Sequence, residues 1–156
     1  MTAELPKPTI WVTIPPPLWA LAFILAAWAV SRTLSLPIVF QSALIGWIVF
    51  IGGVAIAASG RIAFAKAGTE VIPVSKKNTN LVATGPFRLT RNPMYLGILV
   101  ALTGLAIVLG TAAGWVAALA FFFFVNFVSI PYEEKKMEAQ FGEDYRSYKG
   151  RVRRWI

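Results

Sequence analysis

Four apolar stretches, cut from one another by proline, glycine and charge, limit this chain to a helical fold in a membrane. Each approaches the length that crosses a bilayer, and only backbone that satisfies its own hydrogen bonds does so. Residues 18–36 form the first: 19 residues rise about 28 Å against a hydrocarbon core of about 30 Å, provided that Arg32 snorkels to the far surface, and Pro37 ends the run. Upstream, Pro6, Pro8 and Pro15-Pro16-Pro17 forbid a continuous helix. Residues 38–60 form the second stretch, with Gln41 as its only strongly polar side chain and Gly52, Gly53, Ala57 and Ala58 allowing a neighbour to come close. Residues 93–109 and 111–130 form the third and fourth, and the short link Gly110-Thr111-Ala112-Ala113-Gly114 makes them an antiparallel hairpin.

The expected fold is therefore all-α: one polytopic membrane domain over residues 1–156, with about four transmembrane helices, a cytoplasmic connecting loop and a C-terminal amphipathic helix. The loop, 61–92, is too polar to span and too rich in breakers for one helix; within it the stretch from Gly68 to Pro73 reads as extended and Lys76-Lys77-Asn78 as a solvated turn. After Pro131 the composition turns polar, and Met137, Phe141, Tyr145 and Tyr148 fall on one helical face, able to lie along the membrane or to fold back over the loop. Gly142 is expected to bend this helix. Arg151, Arg153, Arg154 and Trp155 read as an interface anchor.

The chain has neither histidine nor cysteine, which removes disulfides, thiol nucleophiles, the usual zinc sites and imidazole proton relays. No metal is expected, and chemistry falls to carboxylates, amides, hydroxyls, arginines or a bound cofactor. The formal charge of +8 is placed for a membrane rather than for nucleic acid: of 15 Lys and Arg, all but Arg32 lie near the termini or in the central loop. The positive-inside rule then puts both termini and that loop in the cytoplasm, facing anionic head groups, in an integral protein of a bacterial inner membrane. Composition leaves the oligomeric state open.

The loop closes on Gly85 to Gly97, GPFRLTRNPMYLG. Pro86 and Pro93 push Gly85 and Asn92 out of helical geometry, so the segment between them is held as a loop. Pro93 suits the first position of the next helix and Asn92 its N-cap, where the side chain can accept from a free N–H. The expected result is an anion-attracting corner where Arg88, Arg91 and Tyr95 meet a helix N-terminus. Glu133 and Glu134 leave the fourth stretch at the same depth and belong to the same patch.

Taken together, GPFRLTRNPMYLG, then EE after a hairpin, then FGEDYRSYKGRVRRW resemble the isoprenylcysteine carboxyl methyltransferase family and its phospholipid methyltransferase relatives, over about residues 68–155. The resemblance implies a membrane enzyme that uses S-adenosyl-L-methionine to methylate a lipid-like or prenylated small molecule. It places Arg91, Asn92, Pro93, Met94 and Tyr95 on the family's Arg-His-Pro-x-Tyr, Leu81, Val82, Gly85 and Phe87 on its cofactor-facing loop, and Glu133 or Glu134 on its acidic cofactor contact. The catalytic candidates are thus Glu133, Glu134, Tyr95 and Arg91. Asn92 replaces the family's histidine; Asn126 and Ser129 stand where eukaryotic members hold the substrate with an arginine, and are the substrate-binding candidates. Asn126 also suits a helix-to-helix hydrogen bond. Methyl transfer from an activated sulfonium needs alignment and dryness more than a base, so the missing histidine is no obstacle. The competing readings are a phospholipid amine N-methyltransferase, a sterol-reductase-like NADPH enzyme and a non-catalytic membrane scaffold.

Overall fold

The computed structural model describes residues 6–68 and 80–156; most of the stretch expected to be extended, 69–73, and the turn at Lys76-Lys77-Asn78 lie outside the described residues. Within them the elements run α1 (Ile10–Thr13), α2 (Pro16–Thr33), α3 (Ala43–Lys66), a 3-10 turn at Gly85–Arg88, α4 (Pro93–Leu109), α5 (Ala112–Phe124), a π turn at Val125–Ser129, and α6 (Ile130–Arg151). The described chain is all-helical. Among the described residues two helices are long and apolar enough to cross a membrane: α3, and the rod in which α5, the π turn and α6 continue one another.

Helix boundaries depart from the sequence expectation for local reasons. Pro16 and Pro17 occupy the first positions of α2, where a missing N–H costs nothing, so the triple proline starts this helix instead of preceding it. The helix stops at Thr33, short of residue 36, because a helical Pro37 would drive its ring into the Thr33 carbonyl. Residues 38–42 are not helical: Val39 and Phe40 donate backbone hydrogen bonds to Gly110 O at 2.8 and 3.2 Å, and the α3 N-cap is Ser42, whose hydroxyl accepts from Ile45 N at 3.4 Å. Gln41, expected inside a span, instead donates to Val108 O at 2.9 Å and satisfies an end carbonyl of α4. At its other end α3 continues past residue 60 to Lys66, since Ile62, Ala63, Phe64 and Ala65 hold no breaker.

The closest packing is between α3 and α4. Gly46, Gly53 and Gly60 recur every seven residues on α3 and face Gly104, Gly97 and Met94 of α4. A methyl group on Gly104 would lie 2.5 Å from Phe50 N and 2.6 Å from Gly46 O; one on Gly97 would strike Ala57 N and lie 2.6 Å from Gly53 O. Backbones that close require glycine. Gly53 fulfils its expected role in close approach, whereas Gly52 meets nothing within 4 Å.

The α4–α5 hairpin turns at Gly110, which takes the left-handed φ of 79° and donates to Ala106 O at 2.8 Å. Ser31 of α2 and Thr111 share a buried 2.6 Å hydrogen bond, tying α2 to that turn. In the rod, Pro131 follows the π turn, whose wider winding accommodates a residue with no N–H and lets the helix run on. Gly142 bends α6 as expected, with φ 52° and ψ −118°. The bend folds α6 over the loop, so that Met137, Phe141, Tyr145 and Tyr148 pack on Val82 and Phe87.

Candidate active site

The loop before α4, the start of α6 and the last residues of the chain converge. Tyr95, the third residue of α4, donates from its hydroxyl to Glu133 Oε1 at 2.7 Å. Glu134 is fully committed elsewhere. Its Oε1 accepts from Arg91 Nη2 at 2.8 Å and from Arg154 Nε at 3.1 Å, its Oε2 from Arg154 Nη2 at 2.7 Å, and Lys149 Nζ stands 4.0 Å away. A bidentate guanidinium on a carboxylate is the strongest form of such a pair.

These contacts separate two adjacent glutamates electrostatically. For Glu133 burial dominates and pushes the pKa up to about 7, while the Tyr95 hydrogen bond and the charge of Lys136 oppose it. For Glu134 burial acts in the same upward direction, but hydrogen bonds from Arg154 and the charges of Arg91, Arg154 and Lys149 outweigh it and hold the carboxyl below its ordinary value. One glutamate stays anionic; its neighbour titrates near neutrality.

A cavity of about 400 Å³ lies beside them. Leu81, Val82, Phe87, Arg91, Asn92, Pro93, Met94, Tyr95, Glu133 and Glu134 line it, so the sequence candidates from the loop, the Asn-Pro-Met-Tyr corner and the paired glutamates meet around one cavity. Gly85 does not reach it; with φ 59° it opens the 3-10 turn that presents Phe87. Arg88 is exposed and off the wall, which corrects its placement in the corner. Asn92 stands at the N-cap of α4 without capping it, because its side-chain amide donates to Arg154 O at 2.9 Å instead.

Asn126 and Ser129 do not line the cavity. The Asn126 side chain accepts from Trp155 Nε1 at 3.0 Å and from Arg154 Nη1 at 3.4 Å, a bond to the chain's tail rather than to a second helix. The tail is no peripheral anchor: Trp155 packs on Phe122 with ring centroids 5.1 Å apart, and Arg154 reaches the ionic centre. Lys136 and Arg61, also on the cavity wall, were not among the sequence candidates, while Tyr145 and Tyr148 reach the wall from the helix face expected to fold over the loop. The spacing of Lys136 three residues after Glu133 was the available signal, since that interval shares a helix face.

Residues 41–144, about two thirds of the chain, match the phospholipid methyltransferase family. The chain belongs to the phospholipid methyltransferase family. That family sits within the isoprenylcysteine carboxyl methyltransferase-like group of membrane enzymes, and membership implies a methyltransferase with S-adenosylmethionine as donor. An uncharacterized protein of Haemophilus influenzae is 38% identical over 63 residues, which are 40% of this chain and the whole of that protein. No solved structure matches the chain. The phospholipid methyltransferase cavity here suits such a donor: its volume falls in the range of small-molecule sites, a carboxylate and tyrosine rings are available to a cation, and Arg91 Nε is buried without a hydrogen-bond partner.

Proposed function

We propose that this protein is an S-adenosylmethionine-dependent methyltransferase of four membrane-crossing helices, acting at the cytoplasmic face on a lipid-like acceptor. The observation that carries the reading is the apolar cavity whose wall joins the Asn-Pro-Met-Tyr corner to the Glu133 carboxylate, which accepts from Tyr95 and, unlike Glu134, is not paired with an arginine. Glu133 would face the cationic part of the donor, and Arg91, which also lines the cavity, its carboxylate. When bound, the cofactor supplies an electrophilic methyl group. The apolar wall excludes water, and the α3–α4 packing fixes the Tyr95–Glu133 pair within it.

Val54 and Ala58 are exposed on α3 and also line the cavity; a lateral face of this kind supports an amphiphile entering from the bilayer. A carboxylate acceptor, as in the isoprenylcysteine enzymes, is the first reading, because it arrives as a nucleophile. A phospholipid amine is the second, favoured by a carboxyl that titrates near neutrality and can take the amine's proton.

Calorimetry on the purified protein tests the reading: S-adenosylmethionine should bind and NADPH should not. Affinity should also depend on pH with a definite sign. Glu133 is raised in the free protein, so below about 7 it is neutral and offers the cation little; affinity should rise by up to about tenfold per unit as pH increases toward 7, then level off. Affinity that falls on raising the pH through this range would remove Glu133 from the site.

The proposed orientation places both termini and the α6 surface in the cytoplasm, following the distribution of basic residues. Ser35 and Ser147 are exposed at opposite ends of the molecule. In this cysteine-free chain, Ser35→Cys should react with an impermeant maleimide on intact cells, and Ser147→Cys only after permeabilisation. The reverse pattern inverts the topology.

A further inference from the structure

The last residues of the chain form a strap across the candidate site. Arg91 N donates to Arg153 O at 3.0 Å, and Thr90 Oγ1 and Asn92 Nδ2 both donate to Arg154 O, at 3.1 and 2.9 Å. Trp155 is anchored through Asn126. The loop that leads into α4 is thereby bound to the tail, while the Arg154 guanidinium takes hold of Glu134 on α6 through both carboxylate oxygens. Arg154 itself does not line the cavity. It stands between the two elements whose relative placement defines the cavity wall.

Resting on the methyltransferase reading, we propose that Arg154 is a positioning residue: by occupying both oxygens of Glu134 together with Arg91, it sets the cavity-facing pose of Arg91 and leaves Glu133 as the carboxylate presented to the donor. The geometry explains why two adjacent glutamates have different partners. Without Arg154, Arg91 is the guanidinium left on Glu134, and it shifts toward the vacated carboxylate oxygen and away from the position in which it lines the cavity. The strap itself does not depend on this side chain. The bonds that residues 90–92 donate to the Arg153 and Arg154 carbonyls and the Trp155 anchor remain, so the fold is expected to persist.

The test is S-adenosylmethionine affinity, by calorimetry, of the full-length protein and its Arg154→Gln, Arg154→Lys, Glu134→Gln and double Arg154→Gln/Glu134→Gln variants. Arg154→Gln should weaken binding roughly tenfold, and Arg154→Lys, which keeps the charge but not the fork, should recover part of the loss. Because the two residues act as one pair, the double variant should also lose about tenfold and not the roughly hundredfold of independent effects. A role confined to stability gives neither the partial recovery by lysine nor the non-additivity at temperatures well below melting. If Arg154→Gln does not fold, the lysine variant carries the test: its affinity should still fall severalfold. Unchanged affinity in the arginine variants, or additive losses, overturns the proposal. A parent protein that does not bind S-adenosylmethionine overturns the methyltransferase reading and this inference with it, whereas binding by the parent together with unaffected variants overturns the inference alone.

Discussion

Glu133→Gln is expected to weaken S-adenosylmethionine binding by roughly ten- to a hundredfold while leaving helicity unchanged. A charge-assisted hydrogen bond is worth about 1.5 to 3 kcal/mol, which corresponds to that range of affinity. Glutamine keeps the volume and can still accept from Tyr95, whose hydroxyl lies 2.7 Å from the carboxylate, so what is lost is charge. Removing the charge also relieves the burial that pushes this group's pKa up to about 7, so thermal stability above neutral pH should stay level or rise. Glu134→Gln should show the opposite balance. It leaves Arg91, nearly buried, and Arg154, 32% exposed, without their carboxylate. Breaking a fully buried pair costs about 3 to 5 kcal/mol, and the partial exposure of Arg154 reduces that here, so melting should drop clearly while affinity falls less than for Glu133. Equal melting and equal affinity in the two variants would contradict the division of labour between the glutamates.

Gly97→Ala should destabilise the protein while Gly52→Ala, on the facing helix, should not. The Gly97 methyl would enter the backbone of α3 at Ala57 and lie 2.6 Å from Gly53 O, where no flexible side chain can move aside. Overpacking of this kind costs about 1 to 3 kcal/mol even where neighbours can adjust. The same substitution at Gly52 meets nothing within 4 Å and gains up to about 1 kcal/mol of helix propensity. The two variants should therefore melt on opposite sides of the parent. Because α4 carries Tyr95 half a turn before Gly97, the Gly97 variant should also bind the donor more weakly. A Gly97→Ala protein as stable as the parent would mean that α3 and α4 do not pack through these glycines.

Much of the site was legible because its parts are local. Asn92, Pro93 and Tyr95 lie within one turn of each other, Glu133 and Glu134 are adjacent, and the short link from Gly110 to Gly114 forces their helices side by side. Which glutamate is free was not legible. The local pattern, with Lys136 three residues after Glu133, does not tell which carboxylate is held by arginines; that comes from Arg91 and from Arg154, twenty positions along the chain and brought back by the Gly142 bend and the strap. Arg88 and Arg91 likewise look equivalent in sequence, yet Arg88 is exposed and Arg91 pairs with Glu134.

By itself the sequence determined the class of fold, since uninterrupted apolar runs in lipid leave helices as the available backbone, and it determined the punctuation, since proline and glycine act on their own φ and on neighbours within a turn. It pointed to the family through the combination of three short motifs, each local in the chain. The tertiary structure decided which of several glycines touch, because a seven-residue recurrence on each of two helices becomes a contact only when they are paired in register. It also decided the ionic partners around Glu133 and Glu134. Their protonation depends on charges and burial within a few ångströms, and those neighbours are supplied by chain segments that only folding brings together.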